Sequence, residues 1–229
     1  MTSSPASKAE HLLVVFLKEP IEGQVKRSLA KTLGNTEAAA RYKALCAVLL
    51  QQLVGLQNTR IRFCVTPSDA VEAVQFWILP QLEGKIDKLQ EDLFLFHPNK
   101  AAETLEIEFV AQQDSDKKEA VLTQQKKGLE QGYTTVSIMG TNCPDCGARW
   151  LQMAIMMCNR AEDIVLGHDE QSSIYLSTVR QPTYLHHTTD TPFLNLPQLP
   201  KIKTEQQWQQ ALESPIGGKI KKLYNKVNS

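Results

Sequence analysis

From Leu12 to Leu17 the chain reads Leu-Leu-Val-Val-Phe-Leu, an unbroken apolar stretch that ends in Lys18-Glu19-Pro20. It does not alternate polar with apolar, so it has no face to offer water. That pattern, at this length, predicts a strand over 11–17 covered on both sides, which in turn requires helices on both faces of its sheet. The run is far below the roughly 18 residues that a membrane span needs, and it is too short for a signal-peptide core. No other stretch approaches that length, which places the protein in the cytosol with no membrane partner.

The rest of the chain supplies such helices. Thr36 opens a helix to about Gly55, with Glu37 in its first turn and apolar residues at Ala40, Leu45, Val48, Leu49 and Leu53. Ile61 to Val65 reads as a second strand, followed by Thr66-Pro67-Ser68 and a helix from about Asp69. Short apolar runs at Leu93–Phe96 and Leu105–Val110 precede a charged helix over Gln112–Gln131. Thr134–Met139 is a buried strand, Gly147–Asn159 a helix, and Asp163–Leu166 and Ile174–Val179 further strands. Arg180 to Pro200, rich in Thr and Pro, reads as loop. Strands alternating with helices predict one three-layer α/β domain with a mainly parallel sheet, its core spanning about 11–213.

The 229 residues suffice for one such domain, and 42% hydrophobic with 22% charged residues is ordinary globular usage. Lys plus Arg and Asp plus Glu both number 25, so the formal net charge is zero and there is no electrostatic footprint for nucleic acid. The local excess at 217–229, with Lys219, Lys221, Lys222 and Lys226, reads as a solvated basic helix. Five cysteines, an odd number, read as thiols in a reducing compartment.

In an open α/β sheet, ligands bind beyond the carboxyl ends of the strands, so the loops there are the candidate site. The first, Lys18 to Leu29, carries Gly23, which lets backbone N–H groups approach an oxyanion, and Lys18, Lys26 and Arg27 as cations for a diphosphate. A basic surface turn is the plainer alternative. As the anion-binding end of a pocket, this loop predicts that Lys26→Ala weakens phosphate-bearing ligands and, being an exposed substitution, leaves folding nearly unchanged. The second loop is Gly140-Thr141-Asn142-Cys143-Pro144-Asp145-Cys146, placed to hold a metal or a phosphate. Its Cys-x-x-Cys lies between strand and helix, as in thioredoxin-type pairs, but the rest of that fold is missing. A zinc site lacks a second Cys-x-x-Cys, and His186-His187 have no ligand spacing. The third loop, Gly167 to Tyr175, offers Asp169 and Glu170 as ligands for a hard cation or as a solvated turn.

Taken together, these loops resemble a family of bacterial glycosyltransferases with the glycosyltransferase-A, or nucleotide-diphospho-sugar transferase, fold. Some of its members are radical-SAM- or selenium-associated. The family opens on Lys-x-Pro-x-x-Gly-x-Val-Lys-Thr-Arg-Leu. Here Lys18, Pro20, Gly23, Val25, Lys26 and Leu29 match, while Arg27-Ser28 replaces the Thr-Arg pair. The family's Gly-Thr-Asp-Cys-Pro-Asp stands here as Gly140 to Asp145 with Asn142 for the first aspartate. A third motif, Leu-Gly-Pro-x-x-Asp-Gly-Gly-Tyr-Tyr-Leu, matches Leu166 to Leu176 with Gln171 at the acid. A late Asp-x-Asp-Thr-x-x-Asp becomes Lys201-Ile202-Lys203-Thr204-Glu205-Gln206-Gln207.

The resemblance implies a nucleotide or nucleotide-sugar ligand, contacted by Lys18, Gly23, Lys26, Arg27, Thr141 and Asn142. Such chemistry runs on Mg²⁺ or Mn²⁺ held by carboxylates. Asn142 is a weaker ligand, Gln171 is no base, and Lys201 and Lys203 repel a cation. The family chemistry is therefore expected to be lost, or relocated to Asp145, Asp169 and Glu170 as catalytic acids.

Overall fold

The computed structural model describes residues 9–82, 106–114, 116–183 and 193–227. The run Leu93–Phe96 and the pair His186-His187 lie outside these residues. The apolar stretch is β1, His11–Lys18, and it lies in the middle of the sheet. It is followed by α1 (Arg27–Leu33), α2 (Asn35–Leu53), β2 (Thr59–Thr66) and the helical residues 71–82, here α3. Then come β3 (Ile107–Ala111), α4 (Lys117–Glu130), β4 (Thr135–Met139), α5 (Ala148–Met157), β5 (Ile164–Asp169) and β6 (Ile174–Val179). The chain ends in β7 (Leu194–Leu199), α6 (Glu205–Glu213) and α7 (Gly217–Val227).

The seven strands form one sheet in the order β3-β2-β1-β4-β6-β5-β7. Every neighbouring pair is parallel except the two that involve β6, which runs antiparallel to β4 and to β5. This is the mainly parallel sheet that the sequence predicts.

Why β1 is apolar throughout is visible in its two faces. Leu13, Val15 and Leu17 pack into one cluster with Tyr42, Leu49 and Leu53 of α2, Val74 and Ile78 of α3, and Leu151 and Ala154 of α5. Leu12 and Val14 point the other way, into a cluster with Tyr133, Val136 and Ile138, against which Val121 and Leu129 of α4 pack. Gly128 permits that approach, because a Cβ there would lie 2.7 Å from Leu12 and Val136 side-chain atoms. Helix α2 is itself covered twice. Its Ala44, Leu45 and Val48 face Trp208 and Ala211 of α6 and Ile220 of α7, so the helix is apolar on opposite sides.

Several expectations need correction. Residues 27–33 form a helix where the reading gave loop to Ser28 and no element before Thr36. No side chain caps α1, and its N-cap residue is Lys26 in a left-handed conformation, so the usual capping pattern is absent. The charged helix starts at Lys117 rather than Gln112, because the Asp116 side chain accepts from the Lys118 and Glu119 amides and fixes the start. Residues 194–199, read as loop, are an edge strand. Pro197 is tolerated there because an edge strand needs hydrogen bonds on one side only.

Candidate functional site

The carboxyl edge of the sheet gathers lysines from separate stretches of sequence. Lys18 ends β1, Lys26 precedes α1, Lys117 begins α4 after β3, and Lys201 and Lys203 follow β7. These charges share one neighbourhood. Burial and then the Lys203 charge lower the pKa of Lys26, while partial burial and the charges of Lys203 and Lys18 lower that of Lys117. Lys26, Lys201, Lys203 and Asp169 all act on the Cys143 thiol.

Lys26 joins three loops. Its Nζ donates to Asn142 Oδ1 at 3.1 Å and to the Ile202 carbonyl at 2.5 Å, and the Ile202 amide donates to the Asn142 carbonyl at 2.8 Å. The β1–α1, β4–α5 and β7–α6 connections therefore meet at one half-buried ammonium. Its backbone is left-handed, with φ 45° and ψ 45°, a conformation that costs a non-glycine residue about 1–2 kcal/mol. Desolvation brings its pKa down to about 8. The expectation that Lys26 is a free surface group on an exposed turn is thus corrected. Gly23, at φ 77°, makes the turn that delivers the loop, with Asn35 Nδ2 3.4 Å from where a Cβ would stand.

The matching contact on the other side is between Asp169 and Lys201. Asp169 Oδ1 accepts from the amides of Gln171 and Ser173, both at 2.9 Å, and Oδ2 lies 3.2 Å from Lys201 Nζ. Burial alone would raise the Asp169 pKa. The two amides and the ammonium outweigh it and hold the carboxyl below its usual value.

The β7–α6 connection is fixed from behind. Thr204 caps α6 in a capping box with Gln207, whose Oε1 also accepts from the Lys203 amide at 2.9 Å. Glu205 pairs with Arg41, whose guanidinium lies 4.6 Å from the centroid of the Trp208 ring and bonds Glu37 at 2.6 Å. The Tyr224 hydroxyl donates to Glu37 as well. Lys201 and Lys203 are thereby carried on a strut braced against α2.

The expected site residues divide accordingly. Lys18, Lys26, Asn142 and Asp169 come together. Thr141 adjoins them, its hydroxyl engaged with Tyr42 and Cys46. Tyr42 in turn holds the Lys18 backbone through both its amide and its carbonyl. Arg27 is exposed on the first turn of α1, and Glu170 is exposed at the tip of the β5–β6 turn. Asp145 turns away: its carboxylate meets Gln52 Nε2 at 3.4 Å and feels Lys219, groups on α2 and α7 rather than the lysine cluster. Burial raises its pKa. Lys117 escapes the sequence reading, although it opens the helix that follows a strand end, the position where the fold places ligand contacts.

A divalent cation does not fit these residues. Asp169 has committed both oxygens, Asn142 Oδ1 already accepts from Lys26, and no group of three or more His, Cys, Asp or Glu that could hold a metal ion occurs among the described residues. The cysteines offer no substitute chemistry. Burial, with Asp169 next, pushes the Cys143 thiol up to about 12, and burial raises the Cys146 thiol as well. All five thiols are free and buried.

No protein-family model matches the sequence, and no curated protein matches it significantly. Solved structures do. A candidate nucleotide-diphospho-sugar transferase from Desulfovibrio desulfuricans G20 superposes with a TM-score of 0.70 at 20% identity, over 96% of this chain and 98% of that one. A cytidylyltransferase from Leptospira borgpetersenii serovar Hardjo-bovis gives 0.47 at 10% identity, over 96% and 94%. The Desulfovibrio overlap defines the architecture: the fold is that of the nucleotide-diphospho-sugar transferases. No helix among the described residues is long and apolar enough to cross a membrane.

Proposed function

We propose that this chain is a divergent member of the bacterial glycosyltransferase-A family it resembles. On this reading it binds a nucleotide or nucleotide sugar at the carboxyl edge of β1, and its transferase catalysis is weak or lost. The observation that carries the proposal is the meeting of Lys26, Asn142 and Ile202 at the carboxyl ends of the strands, where open α/β sheets bind ligands, beside a carboxylate already neutralised by Lys201. The cations for a diphosphate are present, and among the described residues no cluster of acids that could hold a metal accompanies them.

The test is a thermal-shift panel of nucleoside di- and triphosphates and nucleotide sugars, with and without Mn²⁺. A ligand at 100 times its dissociation constant stabilises the native state by about 2.7 kcal/mol, a readily measured shift. The expected result is stabilisation by at least one phosphate-bearing nucleotide and none by the parent nucleosides. A panel that leaves the melting point unmoved favours a non-catalytic scaffold that keeps the fold without its ligand.

A further inference from the structure

We propose that the Lys203 ammonium takes the place of the divalent cation in this site, so that a diphosphate or triphosphate group binds as the bare anion without metal. This rests on the reading of the site as one for phosphate-bearing ligands and deepens it. A glycosyltransferase-A site must offset the charge of a diphosphate, and a bridging metal does so only where carboxylates can hold it.

Here five lysines converge, and among the described residues only Lys201 has a carboxylate partner. Lys201 is spent on Asp169, so that carboxylate is offset and neither recruits a cation nor repels a phosphate. Lys26 is partly spent on neutral oxygens of Asn142 and Ile202. Lys203 is different. It is half-buried, it makes no ion pair among the described residues, and its charge reaches Lys26, Lys117 and Cys143.

Its backbone is held rigid by the Gln207 bond and by the Arg41–Glu205 brace. These contacts fix the point from which the Lys203 side chain extends, so the loop need not move for its ammonium to meet an arriving anion. A metal carried in by the ligand would instead meet the positive charges of Lys203, Lys18 and Lys117, which make no ion pair among the described residues.

The experiment is calorimetric titration of inorganic pyrophosphate into the intact protein, in EDTA and in excess Mg²⁺. It is run on the wild type, Lys203→Met, Lys203→Arg and the tail control Lys222→Met, each confirmed as folded by its melting curve. Charge-assisted hydrogen bonds are strong enough that losing one weakens binding by about tenfold or more. The wild type is expected to bind in EDTA and to gain nothing from Mg²⁺. Lys203→Met should bind about tenfold or more weakly, Lys203→Arg should stay within about threefold of wild type, and Lys222→Met should be unchanged. Pyrophosphate binding that needs Mg²⁺, or that is as tight in Lys203→Met as in the wild type, overturns the proposal.

The same titration with a nucleoside diphosphate separates the two readings. Metal-free pyrophosphate binding with no gain from the nucleoside sustains the lysine site and removes the nucleotide. Nucleotide binding only in the presence of the metal does the reverse, and absence of binding by either ligand overturns both.

Discussion

Lys201 and Asp169 form a buried ion pair, 3.2 Å from Nζ to Oδ2, with each side chain 4% exposed. It ties the residue after β7 to the turn between β5 and β6. Charges this deeply placed depend on each other, since either one left alone would be an uncompensated ion out of water.

Asp169→Asn should therefore destabilise the fold by about 3–5 kcal/mol, because Lys201 stays buried and loses its counter-charge. The double variant Asp169→Asn with Lys201→Met should recover most of that loss. The two unfolding free energies in urea decide this. A single variant as stable as the double one would mean that the pair is solvated. The pH dependence has a definite sign. The folded Asp169 pKa lies below its ordinary value, so its contribution is present above the unfolded carboxyl pKa and is lost as pH falls through the folded one. The double variant should lack this part of the acid destabilisation.

How far this could be read from the sequence depends on the distance between partners. The strand at 11–17, its helical cover and the parallel character follow from local apolar pattern, and they are present. The pair Asp169–Lys201 joins residues that sequence spacing does not relate, and no periodicity predicts it. The resemblance did mark Lys201 and Lys203 as standing where acids were expected, but not that one of them neutralises Asp169. Asp145 shows the opposite failure. It lies in a matched motif, yet the turn at Cys143–Cys146 rotates it toward Gln52. Strand β7 was lost to the ambiguity of Pro197, which reads as loop unless the strand is known to be at an edge.

Thr204 holds the start of α6 and with it the position of Lys203. Thr204→Ala should cost about 1 kcal/mol of stability through the lost cap. It should also weaken phosphate binding by several-fold while leaving every lysine in place. Titration of pyrophosphate into this variant, alongside its melting curve, measures both effects. Full affinity in a destabilised variant would show that the cap does not position Lys203.

Cys143 and Cys146 should behave as core residues. With the Cys143 pKa pushed up to about 12 and that of Cys146 raised by burial, the thiolate fraction at neutral pH is negligible. Alkylation of the native protein should be far slower than that of free cysteine and should accelerate in urea. Fast native alkylation, together with turnover of a disulfide substrate, would restore the redox reading.

Asn142 provides the sharpest test of how the site is wired. The family places an aspartate there, and the simplest expectation is that Asn142→Asp recovers a metal ligand. The geometry gives a different outcome, because Lys26 Nζ already stands 3.1 Å from Asn142 Oδ1. A carboxylate at that position would pair with Lys26, and an opposite charge at such a distance favours the charged amine. In the wild type, desolvation has brought the Lys26 pKa down to about 8, so anion affinity should fall as pH rises through about 8 and the ammonium is lost. In Asn142→Asp the Lys26 pKa rises, and that fall should move to higher pH. The added negative charge should also weaken pyrophosphate binding at pH 7 by about tenfold, the effect of roughly 1.4 kcal/mol. Titration of pyrophosphate into both proteins between pH 6 and 10 gives the ratio of affinities, in which the ligand's own ionisation cancels. Mn²⁺ titrated into each protein, with a nucleoside diphosphate present, should show no gain in the variant. Tight Mn²⁺ binding by Asn142→Asp, with the pH dependence unmoved, would mean that the carboxylate faces the ligand rather than Lys26.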